Sequence, residues 1–506
     1  MPRNVYNQIQ HTFRHKITLD SEWVILHRLA LLSGIEPQNI DCCIKSCIAF
    51  TRGYTDLEQC PFCGEHHYTS SGQARRKFSY LPIIPRLQAY FQNEAKVQLL
   101  LYRHHFKPCP GTITNIFDGE WYHSLLDTPV TIDGVAQPHC YFNHKYDIAL
   151  SLAVDSYLLF KRRRGGPCAT PILVQNFNVP PQIHTQMEHL ICVGIIPGPH
   201  QPKNLESFLA PLDDELAMVA TGIKTFDAST KYSFDLHAYV LFKNGDILAV
   251  EKLLNMKGHN GVHPCHSCNI HSVRNISAKG TVYYTPLRTP DLAHQTCPSV
   301  DPNHLELRTH GEFHKTMVRL ADPTLTKKQH GEIMKETGIR GPAVLRCVGS
   351  IDYARSVPWE WMHVFLENIV PTLVDFWTGR FKGLDVGSES YEIAPHIWER
   401  ISEETTSAVP FIPAAFVRRL ANIANDRSLF TAEAWSFWFM YIAPIVLKDR
   451  FQNKKYYDHM LLLVTLMRKM VKFALTTREV DEIEDGLIRW VTLYERCVCY
   501  TYLVRI

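Results

Sequence analysis

Residues 236–254 read LHAYVLFKNGDILAVEKLL, and residues 256–268 follow with MKGHNGVHPCHSC. Leu236, Ala238, Val240 and Phe242 alternate with the period of two expected of a half-buried strand. The run ends in a Gly-bearing turn at a lone acid, Asp246, and a helix-like pattern takes over. An α/β sheet presents functional carboxylates at such a place, just past a strand. A Cys-x2-Cys pair, Cys265 and Cys268, closes the segment soon afterwards. An acid with a metal-ligand pair behind it suggests nucleic-acid chemistry more than metabolism.

Working outward, IALSLAV, ATPILVQNFNV and HLICVGIIPG are predicted strands between residues 143 and 250, and NLESFLAPLDDELAMVATGI is a predicted helix. Several strands, a helix, a strand bearing an acid and then helices fit an α/β core with helical additions. The expected organisation is a zinc ribbon-like region over 1–80, a helical and loop connector over 81–142, a catalytic core over 143–380 and a helical region over 381–506. The core carries an irregular Cys/His insertion at about 251–355.

The 506 residues are 45% hydrophobic and 20% charged, with a net charge of +3. That is globular material with a weak overall field, so any contact with nucleic acid has to come from local patches. Such patches are Arg75-Arg76-Lys77, Lys161 to Arg164, Arg418-Arg419 and Arg468-Lys469. The opening MPRNVYNQIQHTF lacks the apolar core of a signal peptide, and Trp435 to Leu447 is short for a bilayer span. The 15 cysteines cluster rather than spread as a disulfide framework would, which suggests a reducing compartment.

Cys43-x3-Cys47 and Cys60-x2-Cys63-Gly64 form a four-thiolate spacing. The short spacings let paired sulfurs reach one tetrahedral Zn2+, and the glycine permits the tight turn. Cys42 competes with Cys43 for its place, and Cys43 is preferred. Cys265 and Cys268 with His310-x3-His314 make a second Zn2+ set, for which other histidines of the insertion are substitutes.

Asp155 ends the run IALSLAVD, so two acids stand at strand ends. A third carboxylate is expected from PWEWMHVFLENIVPTLVDFW, a helix with Met362, Phe365, Leu366, Ile369 and Leu373 as its apolar stripe. Glu360, His363 and Glu367 fall on one side of it, at spacings of 3 and 7. Three carboxylates suit two Mg2+ ions, hard cations that take oxygen ligands and promote in-line phosphoryl transfer. No phosphate-binding loop or nucleophile elbow competes.

The sequence resembles the transposases of CACTA-type DNA transposons, most closely fungal transposase-derived proteins. The resemblance is carried by CxxxC followed by CPFCGE, SGQARRKFSYLPIIPRLQAYF, IFDGEWY, DIALSLAVDSYLLFKRR, ILVQNFNVPPQI, LICVGIIPGPHQPKN, MKGHNGVHPCHSC, PWEWMHVFLENIVPTLVDFWTGRFKGLD and DRSLFTAEAWSFW. It implies an RNase H-like core with a zinc-bearing insertion and a DDE-type acidic triad. The triad carries over to Asp155, Asp246 and Glu360, with Glu367 in reserve, holding Mg2+ or Mn2+. It implies cleavage and strand transfer of DNA at transposon ends, action on target DNA in the nucleus, Arg162, Arg163 and Arg164 on phosphates, and a homo-oligomer. Ser156 stands where the family usually has glycine, and the chain stops at YERCVCYTYLVRI where relatives continue. A shortened or decayed copy, acting only as a DNA- or protein-binding remnant, is therefore the alternative expectation.

Overall fold

The computed structural model describes residues 3–16, 18–159, 168–275, 282–285, 287, 299–381, 390–417 and 420–496. Arg162, Arg163, Arg164 and the Arg418-Arg419 pair lie outside the described residues. The chain divides into two compact units. One comprises Met1–Phe106, Ser124–Lys243 and Val344–Ile351; the other comprises Lys107–His123, Asn244–Ala343 and Asp352–Ile506.

The first unit is built on a sheet whose strands are β1 (Gln38–Asp41), β2 (Lys77–Tyr80), β3 (Ile148–Val154), β4 (Cys168–Asn176), β5 (Leu190–Pro197) and β6 (Ala238–Asn244). Their spatial order is β1-β2-β5-β4-β3-β6, with the short strand Tyr157–Leu158 also pairing with β4. β3 pairs antiparallel with β4 from Leu150↔Asn176 to Val154↔Ile172, and β4 pairs antiparallel with β5. β2 joins β5 through Tyr80↔Gly194. Only glycine fits there, because a Cβ on Gly194 would come within 2.7 Å of the Phe78 ring.

The predicted strands and helix form where their apolar runs lie. The helix, α1 (Leu205–Thr221), starts at Asn204, whose side chain accepts from the Ser207 amide, and stops at Gly222 with φ 104°. Its Phe208 packs edge-on against Phe78 of β2, with centroids 5.4 Å apart. The Ser207 hydroxyl accepts from the Ala49 amide at 3.0 Å, so α1 also holds the loop that carries the first cysteines.

One expectation needs correction. The strand ahead of Asp246 is not half-buried: Tyr239 and Leu241 are as deeply buried as Ala238 and Val240, so both faces are covered. Leu236 belongs to a separate hairpin strand, Ser233–Leu236, paired with Ile223–Phe226. The covered face includes Lys243, which is fully buried and donates its ammonium to the Val344 carbonyl.

Burial pushes the Lys243 pKa from 10.5 down to about 7, against the opposing pull of Asp213. Below pH 7 folded and unfolded chains both carry the proton, and folding bears the full desolvation cost. Between about 7 and 10.5 the folded chain sheds a proton that the unfolded chain keeps, so stability rises with pH across that window. Lys243→Met is therefore expected to be more stable than wild type below pH 7, with the difference narrowing as pH rises through the window. Paired urea melts check this; parallel pH profiles would show that the buried charge carries no cost.

From Asn244 the second unit continues with α2 (Ile247–Leu253), and its insertion is more regular than its composition implies. It holds α3 (His310–Leu320) and α4 (Lys327–Thr337), opened by capping boxes at Thr309/Glu312 and Thr326/Gln329. Beyond Pro358 the described chain is mainly helical, with a short strand, Leu475–Thr476, paired with Thr112–Ile113. A π-helical stretch, Met362–Ile369, runs into α5 (Val370–Trp377), and Pro371 near the junction cannot donate an amide bond. Phe365, Leu366 and Leu373 join a core with Trp377, Trp398, Trp435, Trp438 and Trp490, while Met362 and Ile369 pack at its margin. Among the described residues, no helix is long and apolar enough to cross a membrane.

Candidate functional site

Two sites emerge from these elements, one in each unit. In the first, β1 and β2 pair antiparallel from Gln38↔Tyr80 to Asp41↔Lys77, and the cysteine loops lie between them in sequence. The Cys43 carbonyl accepts from the Ser46 amide at 2.7 Å, and the Cys60 carbonyl accepts from the Gly64 amide at 2.8 Å. Each bond curls its loop so that the paired sulfurs face inward. Gly64 takes φ 69°, the left-handed conformation that the Cys-Pro-Phe-Cys-Gly turn requires.

The sulfurs of Cys43, Cys47, Cys60 and Cys63 all lie within 4.8 Å of one another, and the first three residues are buried. Tetrahedral Zn2+ with Zn–S of about 2.3 Å would set S–S edges of about 3.8 Å. The donor set is all thiol, none of the four is in a disulfide, and Cys43 and Cys63 are already 3.4 Å apart. The arrangement fits zinc. Burial pushes the Cys60 thiol up to about 11 and raises Cys47 as well, an unfavourable setting for thiolates that a bound cation offsets. Cys43 rather than Cys42 joins the group. The Cys42 amide donates to the Arg76 carbonyl, and burial drives its thiol to about 12.

Arg75-Arg76-Lys77 is largely spent inside this region. Arg75 pairs with Glu65 at 2.8 Å, and Arg76 donates to the Ile44 carbonyl at 2.7 Å. Arg468 donates to the Met440 carbonyl, and Lys469 pairs with Glu482.

In the second unit a cavity of about 300 Å³ is lined by Asp246, Glu360, His363, His266 and Asn368 together with apolar side chains. Asp246 sits at the N-cap of α2, its Oδ1 accepting from the Ala249 amide at 2.6 Å. Glu360 does not lie on the helix as expected; it precedes it. Its carboxylate accepts from the amides of Met362 at 3.1 Å and His363 at 2.6 Å, capping the helix start. His363 stands between the two glutamates, with Nδ1 at 2.5 Å from Glu360 Oε2 and Nε2 at 3.8 Å from Glu367 Oε2. The shared face read from the spacing is real, but only Glu360 lines the cavity. Asp155 follows β3 in the first unit, exposed, with Oδ1 accepting from the Ser156 amide.

Cys265 and Cys268 meet, but His310 and His314 do not join them. Among the described residues, the only His, Cys, Asp or Glu group of three or more with all ligand atoms within 4.8 Å is the Cys43–Cys63 set. His310 instead accepts from the Tyr353 amide at 3.3 Å and stacks on the Tyr353 ring. A thiol bond from Cys268, with the amides of Ser267 and Cys268, pulls the Cys265 pKa down to about 6. Arg308 donates to the carbonyls of both cysteines and braces their turn.

Sequence reading missed Trp359 as a cavity residue and offered His266 only as a substitute Zn2+ ligand of the insertion. The signal available was Trp-Glu-Trp at 359–361, two aromatics flanking an acid. His266 is buried, and its Nε2 lies 2.9 Å from the Val357 carbonyl, which fixes that nitrogen as the donor.

Residues 133–301 match the family model of the transposase family tnp2. The matched segment contains β3 to β6, Asp155, Asp246 and the Cys265–Cys268 pair; Cys43 to Cys63 and Glu360 lie outside it. The match supports a transposase-like assignment. No curated protein matches the chain.

Proposed function

We propose that this chain is a DDE-type DNA transposase of the CACTA kind, acting in the nucleus on transposon ends and target DNA. The observation that carries the proposal is Asp246 and Glu360 on the wall of one cavity, with Asp246 inside the segment that matches a transposase family. The strand order supports an RNase H-like core: three antiparallel strands β3, β4 and β5 in succession, then α1, then β6 beside β3. Asp155 directly follows β3, and Asp246 lies two residues beyond β6.

In this reading Asp155, Asp246 and Glu360 would hold two divalent ions, Mg2+ or Mn2+, which suit carboxylate oxygens. Such ions supply charge stabilisation at the attacking and leaving oxygens of an in-line displacement. The chain's own part is to fix the carboxylates. Backbone amides hold Asp246 and Glu360, and the His363 ring clamps Glu360 Oε2. The Cys43–Cys63 group shapes the sheet edge as a structural zinc site, and Arg162 to Arg164 meet phosphates.

The test is Mg2+- or Mn2+-dependent nicking of DNA that carries the transposon ends. Glu360→Gln is expected to lower nicking by more than about 100-fold, because even an outer-shell partner of a metal ligand costs 10–100-fold. Glu367→Gln is expected to stay within about threefold of wild type, in keeping with the ~0–1 kcal/mol scale of an exposed ion pair. The reverse pattern would move the third acid to Glu367. DNA binding by a wild type that nicks under neither cation would point to the inactive remnant.

A further inference from the structure

We infer that the cavity beside Asp246 and Glu360 receives one unstacked nucleobase of a DNA strand, with the Trp359 indole as its stacking platform. This rests on the transposase reading above and names the subsite that would seat a strand at the acids.

Trp359 stands apart from the other tryptophans of its unit. Trp377, Trp398, Trp435, Trp438 and Trp490 are each 5% exposed or less, within the helical core, and Trp121 and Trp361 are partly buried, whereas Trp359 keeps 50% of its surface exposed at the cavity wall. A half-exposed indole on the wall of a pocket offers a flat face on which a planar group can stack. The ring is braced: the buried His266 packs against it with centroids 4.3 Å apart, and His266 is itself tied to the Val357 carbonyl. A braced ring loses little freedom when something stacks on it.

The cavity selects the chemistry. At about 300 Å³ it lies at the low end of ligand pockets, which span ~300–1,000 Å³, a size for one planar ring system rather than a chain segment. Ile247, Val250, Pro358, Val364 and Ile369 give it apolar walls. Apolar walls offer a phosphate nothing to pair with, so the part of a strand that suits the interior is neutral, flat and apolar-faced. A base fits that description, and stacking between aromatic and apolar side chains is how extruded bases are held. The phosphate attached to it would remain outside, on the side of the acids.

The experiment measures binding of the full chain to a DNA duplex with a short single-stranded thymidine overhang. The comparison is the same duplex with abasic sites in the overhang, both in Ca2+ to suppress cleavage. Wild type is expected to prefer the base-bearing overhang by about 5- to 100-fold, the ~1–3 kcal/mol of base–aromatic stacking converted at ~1.4 kcal/mol per tenfold. Trp359→Ala should remove the preference and Trp359→Phe should keep most of it. Ile247→Trp, at an exposed position on the cavity wall, fills the space without touching the core and should remove the preference too. Equal binding of the two overhangs by wild type, or a preference that survives both Trp359→Ala and Ile247→Trp, overturns the proposal. If wild type nicks DNA but shows no base preference, the pocket fails while the transposase reading stands. If the preference follows Trp359 in a protein that never nicks, the pocket stands and the catalytic reading fails.

Discussion

Asp246→Asn is expected to bind DNA like wild type and to lose divalent-cation-dependent nicking by more than about 100-fold, beyond the 10–100-fold cost of an outer-shell change at a metal site. The side chain has two roles that this substitution separates. Its Oδ1 caps α2 by accepting from the Ala249 amide, a bond that an asparagine oxygen can also accept. Asn and Asp are about equal as N-caps, so the helix start should survive and the melting midpoint should hardly move. What disappears is the negative charge on the cavity wall. Asp246→Ala is the contrasting variant: it loses the charge and also the cap, worth ~0.5–2 kcal/mol, so activity and stability should fall together. Nicking assays run beside thermal melts read both quantities. Full nicking by the Asn variant would sink the assignment of Asp246 as a metal-holding carboxylate and leave it a helix cap.

Cys60→Ser is expected to lose the zinc bound by the Cys43–Cys63 group and to unfold the segment between β1 and β2. Structural zinc in small domains carries about 10–16 kcal/mol of apparent binding energy, shared among four ligands, so one thiolate is worth roughly 3 kcal/mol or about 100-fold in affinity. Ser207, Arg75 and Arg76 pin the loops from outside, but their interior holds little besides the thiols. The cysteines themselves make up much of a small cluster with Ile48 and Phe50, and His67 is anchored to Asp41 and the Leu57 carbonyl. Native mass spectrometry should give one zinc per wild-type chain and less in the variant. Hydrogen exchange should show amides 42–76 losing protection while β3 and β4 keep theirs. Because the ligands must be thiolates, zinc should also be released as pH falls. A wild-type chain purified without zinc, and indifferent to chelators, would contradict the site.

Several features were legible because local chemistry dictates them. β3, β4 and β5 are apolar runs of strand length, and α1 follows an asparagine cap and stops at Gly222. The Cys43–Cys63 group was legible because two short spacings leave the sulfurs few places to go. The capping boxes at Thr309 and Thr326 were equally readable, yet the density of cysteine and histidine around them suggested an irregular loop. That His310 and His314 stay apart from Cys265 and Cys268 was not legible. His310 and His314 have a metal-like spacing, but His310 is taken by Tyr353, a partner distant in sequence that spacing cannot reveal.

Taken alone, the sequence determined the core strands β3 to β6 and the helix α1, the place of Asp155 and Asp246 just past strand ends, and which four thiols share a site. These follow from periodicity, caps and short loops, all of which act within a few residues. The tertiary structure decided that both faces of β6 are covered and that Lys243 is buried in it. It decided, too, that Glu360 rather than Glu367 lines a cavity with Asp246, and that Trp359 stands half exposed at its wall. Each of those outcomes depends on what packs against a residue from elsewhere in the chain, and burial and cavity shape are properties of the packed whole.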